Sequence, residues 1–281
     1  MTFEEYIAID RVNWSTLKSI LKSPRHYQHA LATPRKDTPA LAMGRAVHCA
    51  VLEPDELLLR YAVRPDGIDR RTKAGKEEWA AFVAANEGKD VLDADDYRRA
   101  LAIRDAVRSH PVAAGLVTGA GENEQSIVWT RDGIDCKGRL DRVTPSAIVD
   151  LKTARDIDAR AFGRTAAAYA YHAQLAWYQD GWERVTGSRL PCVIVAVESD
   201  APHDVAVIDV DDDALEAGRE DVARALAVLS ECRASGEWPG RYPARVGLQL
   251  PAYLFADEGA DDIGLDFSGY NSALEDQNGR T

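Results

Sequence analysis

The sequence predicts a mixed α/β fold, a central mixed sheet flanked by helices within a single domain. Three observations predict it. Apolar residues recur at helical intervals through most of residues 13–118. From Glu124 the period changes to alternation, punctuated by "RDG" and "TPS". After residue 158 a helical pattern, two strand patterns and a last helical pattern follow. The 281 residues, 46% of them hydrophobic, suffice for one large core or two modest ones. No internal repeat divides the chain, so residues 1–255 are expected to form one domain and the acidic segment 256–281 a disordered tail.

Each element has its own signal. "NWSTLKSILKSPRHYQHAL" reads as a helix capped by Asn13 or Ser15, with Leu17, Ile20 and Leu21 on one face. Pro24 fits the first turn of a second helix carrying Arg25. "TPALAMGRAVHCAVLEPDELL" is an apolar helical pattern that ends near Pro54. Residues 64–76, "RPDGIDRRTKAGK", read as a basic loop with two glycines, either solvated surface or a substrate clamp. Residues 77–118 read as helical throughout. "EQSIVWTRDGIDCKGRLDRVTPSAIVDLKT" then reads as three antiparallel strands. Residues 158–185 return to helix, "PCVIVAVES" is a buried strand, "HDVAVIDV" its hairpin partner, and a final helix spans about 212–234.

Composition narrows the function. There is no run of about 18 apolar residues, so no membrane helix is expected. The acidic start "MTFEEYIAIDRVNW" is not a secretory signal. Cys49, Cys136, Cys192 and Cys232 stand far apart, which suits a reducing, cytoplasmic setting rather than a zinc ribbon or disulfide scaffold. The net charge of -12 disfavours a polyanionic partner only until its distribution is read. Residues 198–231 carry -9 and residues 256–281 carry -6, whereas residues 1–76 hold thirteen bases against nine acids. The N-terminal part is therefore free to meet phosphate.

The chemistry concentrates in "GRLDRVTPSAIVDLKT". Alternation puts Ile148, Asp150 and Lys152 on one face of a strand, and Lys137, Arg139 and Asp141 on one face of the strand before it. Paired across the turn, Asp141 and Asp150 converge, which is costly unless something positive lies between them. A hard divalent cation fits, with Lys152 beside it to act on water or phosphate. The plainer reading is a surface hairpin with an i,i+2 salt bridge. "YHAQLAWYQDGW" places Gln174 and Tyr178 on one helical face. His48 is either a core histidine or a ligand.

"MGRAVHCAVLEP", "ENEQSIVW", "GIDCKGRLDRV", "AIVDLKTARD" and "YHAQLAWYQDG" stand in the order and spacing of the PD-(D/E)XK nucleases. The chain resembles most the phage and prophage branch that holds the RecE-type exodeoxyribonuclease VIII domains and is related to lambda exonuclease. The resemblance covers roughly residues 13–200 and includes "STLKSILKSPRHY". It implies a restriction-endonuclease-like core and a Mg2+-dependent deoxyribonuclease, with Mn2+ as a substitute. It implies that His48, Asp141, Asp150 and the Leu151 carbonyl hold the metal and that Lys152 is the catalytic lysine. Glu124 supports the site, and Gln174 and Tyr178 orient it or contact DNA. No iron–sulfur cluster is expected, because relatives that carry one use clustered late cysteines where Cys192 and Cys232 stand alone.

The function so implied is hydrolysis of phosphodiesters at duplex DNA ends, 5′ to 3′, in phage-type recombination or DNA processing. A single-strand annealing recombinase is the implied partner. A structure-specific or nicking endonuclease, or a non-catalytic end-binding protein, are the alternatives. Phosphate contacts are assigned to Lys22, Arg25, Arg70, Arg71 and Lys73. Arg25 near a helix start is a candidate for a terminal phosphate, or else a solvated arginine. So few contacts per subunit favour a homo-oligomer, a trimer or tetramer, that surrounds its DNA.

Overall fold

Helix α1 (Phe3–Ala8) opens the chain under a capping box, Thr2 and Glu5 each bonding the other's backbone N–H. Asn13, not Ser15, caps α2 (Trp14–Leu17), accepting the Thr16 N–H at 3.0 Å, and a 3-10 turn at Lys18–Leu21 prolongs it. Ser23 caps α3 (Pro24–Ala32), with Pro24 in its first turn as expected. Thr38 caps α4 (Pro39–Leu52), which buries Ala46, Val47, Ala50 and Val51 completely. Then α5 (Leu57–Arg60) leads into β1 (Tyr61–Val63), the parallel partner of β2 (Asp90–Leu92). The sequence reading missed both strands, since three residues carry no period to read. Between them lies α6 (Lys73–Ala85). The basic loop therefore ends at Thr72, which caps the helix through Gly75 N–H at 3.0 Å, and Lys73 is helical rather than loop. Helices α7 (Ala94–Ser109) and α8 (Ala113–Thr118) follow.

The meander is as anticipated: β3 (Glu122–Arg131), β4 (Ile134–Val143) and β5 (Ile148–Ala154). Asp132 and Gly133 turn the first hairpin with φ of 51° and 75°, the paired positive values that suit a two-residue loop. The stretch read as one helix is two, α9 (Ala159–Tyr169) and α10 (Tyr171–Thr186), broken at Ala170 with φ 57°. Alanine seldom occupies left-handed backbone, so nothing in "AAAYAYHA" announces the corner. This pair of helices forms the crossover to β6 (Cys192–Glu198), which runs parallel to β5. Strand β7 (Val205–Asp209) pairs antiparallel with β6, and α11 (Asp212–Ser235) ends the unit.

The sheet order is β3-β4-β5-β6-β7, and both faces are covered. On one side Trp14, Leu17, Trp177, Leu226 and Leu229 pack over Ile148 and Ile194. On the other, Val47, Val51, Ile103 and Val107 pack over Val149, Leu151 and Val195. Adjacent residues of β5 thus serve opposite layers, as its alternation required. The computed structural model describes residues 1–33, 37–242 and 244–250. Residues Met1–Arg241 form one unit, and a second begins at Tyr242. The segment 256–281, read as a tail, lies outside the described residues.

Candidate functional site

Strands β4 and β5 pair only beside their turn, at Arg142↔Val149 and Val143↔Ile148. Beyond that they part, and β5 continues alongside β6 as far as Ala154↔Glu198. Asp141 and Asp150 stand where the gap opens. The Leu151 N–H donates to Asp141 Oδ2 at 2.9 Å, so a carboxylate takes the place of the missing strand partner. Asp150 is 1% exposed, and Lys152 Nζ lies 2.6 Å from its Oδ2. Neither Asp150 oxygen accepts a well-aligned hydrogen bond. The i,i+2 pair therefore exists, but in the interior and with acceptor capacity left over.

Two more elements close on the gap. Helix α4 brings His48 Nδ1 to 3.6 Å from Asp141 Oδ2. Strand β3 brings Glu124, whose neighbours pair as Asn123↔Arg142 and Gln125↔Leu140, so that Glu124 lies opposite Asp141. One ligand atom from each of His48, Glu124 and Asp141 lies within 4.8 Å of the others. Glu124 has φ 53°, a left-handed conformation that costs a non-glycine residue about 1–2 kcal/mol. Arg139 holds its side chain: Nε donates to Glu124 Oε2 at 2.7 Å and Nη1 to Ser126 Oγ at 2.6 Å.

Electrostatics make the gap short of positive charge. Burial, then the charge of Asp141, raises the Glu124 pKa, with Arg139 opposing. Burial chiefly raises the Asp141 pKa as well; Asp150 adds to this, while His48, Lys152 and the Leu151 N–H oppose it. Burial pulls Lys152 down, but Asp150 and Asp141 outweigh it, and the amine stays an ammonium above its usual range. Burial, with both aspartates, pushes the Tyr178 phenol well above its usual value. Gln174 Nε2 donates to Tyr178 Oη at 2.9 Å, which leaves the protonated phenol its own O–H to give. The Lys152 ammonium also sits 4.9 Å from the centre of the Tyr171 ring. Carboxylates that resist ionisation, an imidazole and an under-satisfied Asp150 fit a hard divalent cation.

The fold thus brings together His48, Glu124, Asp141, Asp150, Leu151, Lys152, Gln174 and Tyr178. Of the residues assigned to phosphate contacts, Arg70, Arg71 and Lys73 have side-chain partners of their own. Arg25 N–H bonds the Pro239 carbonyl at 3.2 Å and Ser23 Oγ takes the His26 N–H, so two amides at the start of α3 are already occupied, which weakens the case for an anion there. The Arg70 guanidinium lies 4.6 Å from the centre of the Trp79 ring, Arg71 pairs with Asp69 at 3.0 Å, and Lys73 with Glu77 at 3.9 Å. Lys22 lines a shallow surface depression with Pro24, Arg224 and Gly240.

The sequence reading missed the work of the other two residues on the Asp141 face. Lys137 Nζ donates to the carbonyls of Tyr6, Ile7 and Ile9 at 2.8, 3.3 and 2.7 Å, capping the C-terminal end of α1. Arg139 lies 5.6 Å from the centre of the Phe3 ring while it holds Glu124. Their alternation with Asp141 was the available signal, but only the fold shows that α1 lies beside the site.

Over residues 13–243 the chain matches the family described as "PDDEXK-like domain of unknown function (DUF3799)". No curated protein matches it. Among solved structures, a candidate exonuclease from Eubacterium rectale is similar with a TM-score of 0.62 at 16% identity, over 92% of this chain and 99% of that one. A phage-related exonuclease from Haemophilus somnus 129PT is also similar, with a TM-score of 0.36 at 15% identity, over 83% of this chain and 100% of that one. The first of these likenesses is one of fold.

Proposed function

The chain belongs to the PDDEXK-like family that it matches over residues 13–243, and from that premise we propose that it is a metal-dependent nuclease acting at duplex DNA ends. The observation that carries the reading is the gap between β4 and β5. There a buried Asp150, with no aligned hydrogen bond, lies against the Lys152 ammonium, beside the His48, Glu124 and Asp141 cluster. His48, Glu124, Asp141, Asp150 and the Leu151 carbonyl would hold Mg2+, or Mn2+ in its place. The ion would supply Lewis-acid polarisation and acidify water. Lys152, pinned by Asp150, presents its ammonium where negative charge grows on the phosphate. Tyr178, steadied by Gln174, offers an O–H into the same gap. Arg139 fixes the rotamer of Glu124.

The name of the similar Eubacterium rectale protein, a candidate exonuclease, favours cleavage from ends. The direction 5′ to 3′, a homo-oligomeric working form and a role in recombination beside an annealing protein extend this reading. Linear duplexes labelled at the 5′ or 3′ end, and a covalently closed circle, test it with and without Mg2+. The expected result is Mg2+-dependent release of 5′ label first, with the circle intact. Cleavage of the circle as fast as the linear form would replace the exonuclease with an endonuclease. Binding to ends without any cleavage would leave an end-binding protein.

A further inference from the structure

Beside the site lies a surface that the cluster itself does not use. Tyr169, 59% exposed, stacks on Tyr171 with ring centres 5.8 Å apart at 18°, and Tyr171 in turn carries the Lys152 ammonium at 4.9 Å. The left-handed corner at Ala170 sets this stack, and Lys18 Nζ anchors it by donating to the Tyr169 carbonyl at 3.1 Å. Helix α9 leads to the stack directly from the strand that bears Asp150 and Lys152. Its inner face is held by buried Phe162 against Tyr171. Its outer face is Arg160, Gly163, Arg164, Ala167 and Ala168, all exposed, with the arginines four apart on one side.

Among the described residues, more than half of the arginines are paired with carboxylates. Arg155, Arg160 and Arg164 form no ion pair among the described residues, although acids lie close by in sequence. Asp158 Oδ1 accepts the Arg160 and Ala161 N–H groups at 3.0 and 3.3 Å, and Asp156 Oδ1 the Asp158 N–H at 2.8 Å. Local carboxylates thus cap backbone and leave the guanidinium groups to solvent. Unpaired arginines above small residues, ending in an exposed ring stack, match what a single strand requires: cations for its phosphates and a π-face for a base.

We propose that the outer face of α9 and the Tyr169–Tyr171 stack seat the single strand of a frayed DNA end next to the scissile phosphate. Arg155, Arg160 and Arg164 take the phosphates, and a base stacks on Tyr169. This rests on the nuclease reading of the neighbouring cluster, but its test does not require cleavage. The probe is a fluorescent oligothymidylate, and its anisotropy is followed over a salt series in EDTA. Each phosphate neutralised on a single strand contributes about 0.7 to the slope of log K against log salt. Replacing Arg160→Gln together with Arg164→Gln should therefore lower that slope by about 1.4. Tyr169→Ala should weaken binding roughly tenfold without changing the slope, and Tyr169→Phe should retain affinity. All these positions are exposed, so melting temperatures should match the wild type.

Wild-type affinity and slope in both the arginine and the Tyr169→Ala proteins would overturn the proposal, as would a wild type that does not bind the oligomer. If the variants lose affinity but the wild type cuts no DNA with Mn2+, the track stands and the nuclease reading falls. If the wild type cuts DNA and the variants bind normally, the reverse holds.

Discussion

At the scale of single residues, the site is costly by design. The Asp141 carboxyl is held above its usual 3.8, so its contribution to folding is present below that pH and is lost as pH rises through the raised value. Without a divalent ion, the stability that the Asp141 carboxyl contributes therefore falls as pH rises. Asp141→Asn should equal or exceed the wild type in melting temperature in EDTA, flatten its pH dependence, and lose the stabilisation that Mn2+ gives the wild type. A large fall in melting temperature in EDTA would contradict this account. Lys152 behaves differently, because its removal strands a buried Asp150. Lys152→Ala should be destabilised in EDTA by about 3–5 kcal/mol, the usual cost of an orphaned buried charge, and rescued in part by Mn2+. Calorimetry should find Mn2+ still bound while turnover is lost; retained turnover with lost metal affinity would reverse the assignment. His48→Ala separates ligand from core histidine: a loss of activity relative to the wild type that is greater at limiting than at saturating Mg2+ indicates ligation, and an equal loss of stability at every concentration with unchanged metal dependence refutes it.

At the scale of elements, a close approach between helices α10 and α11 fixes the layer that packs behind the site. A Cβ on Gly218 of α11 would stand 2.5 Å from the His172 carbonyl oxygen of α10, a backbone atom that cannot turn aside. Gly218→Ala should cost about 1–3 kcal/mol in urea unfolding. Gly163→Ala, where a Cβ would have nothing within 4 Å, should instead be neutral or gain up to about 1 kcal/mol from helix propensity. Equal effects at the two glycines would mean that the packing of α10 on α11 is looser than described. This interface matters to the site because α10 carries Tyr171, Gln174 and Tyr178 on its other side.

At the scale of the whole molecule, charge is divided along the chain. Residues 198–231 carry -9, whereas residues 1–76 hold an excess of bases, so the proposed DNA-binding surface of one chain is modest. Weak contacts retain DNA poorly as salt rises, so the proposed nuclease would gain by assembling several subunits around one duplex. Light scattering should find a trimer or tetramer, and processivity should fall when the assembly is diluted to monomers. A monomer that degrades long duplexes without dissociating would rule this out. No helix among the described residues is long and apolar enough to cross a membrane.

Much of this was legible in the sequence, because its signals are local. Alternation gave β3, β4 and β5, and sent Val149 and Leu151 to one layer and Ile148 and Asp150 to the other. Asn13 and Pro24 marked the starts of α2 and α3. The spacing of Asp141, Asp150 and Lys152, with Gln174 and Tyr178 four apart, singled out candidate residues that the fold places near one another. Tertiary structure alone decided the rest. The parting of β4 from β5 depends on β6 drawing β5 away through parallel pairing, a partner more than thirty residues distant in sequence. Nothing in "EQS" says that Glu124 will sit in left-handed backbone opposite Asp141, or that Arg139 will hold it. The corner at Ala170, which places Tyr169 over Tyr171, contradicts the local preference of alanine and exists because packing around Phe162 and the Lys18 anchor outweigh it. Periodicity fixes which face a residue takes; only the assembled layers fix which residues meet across a gap.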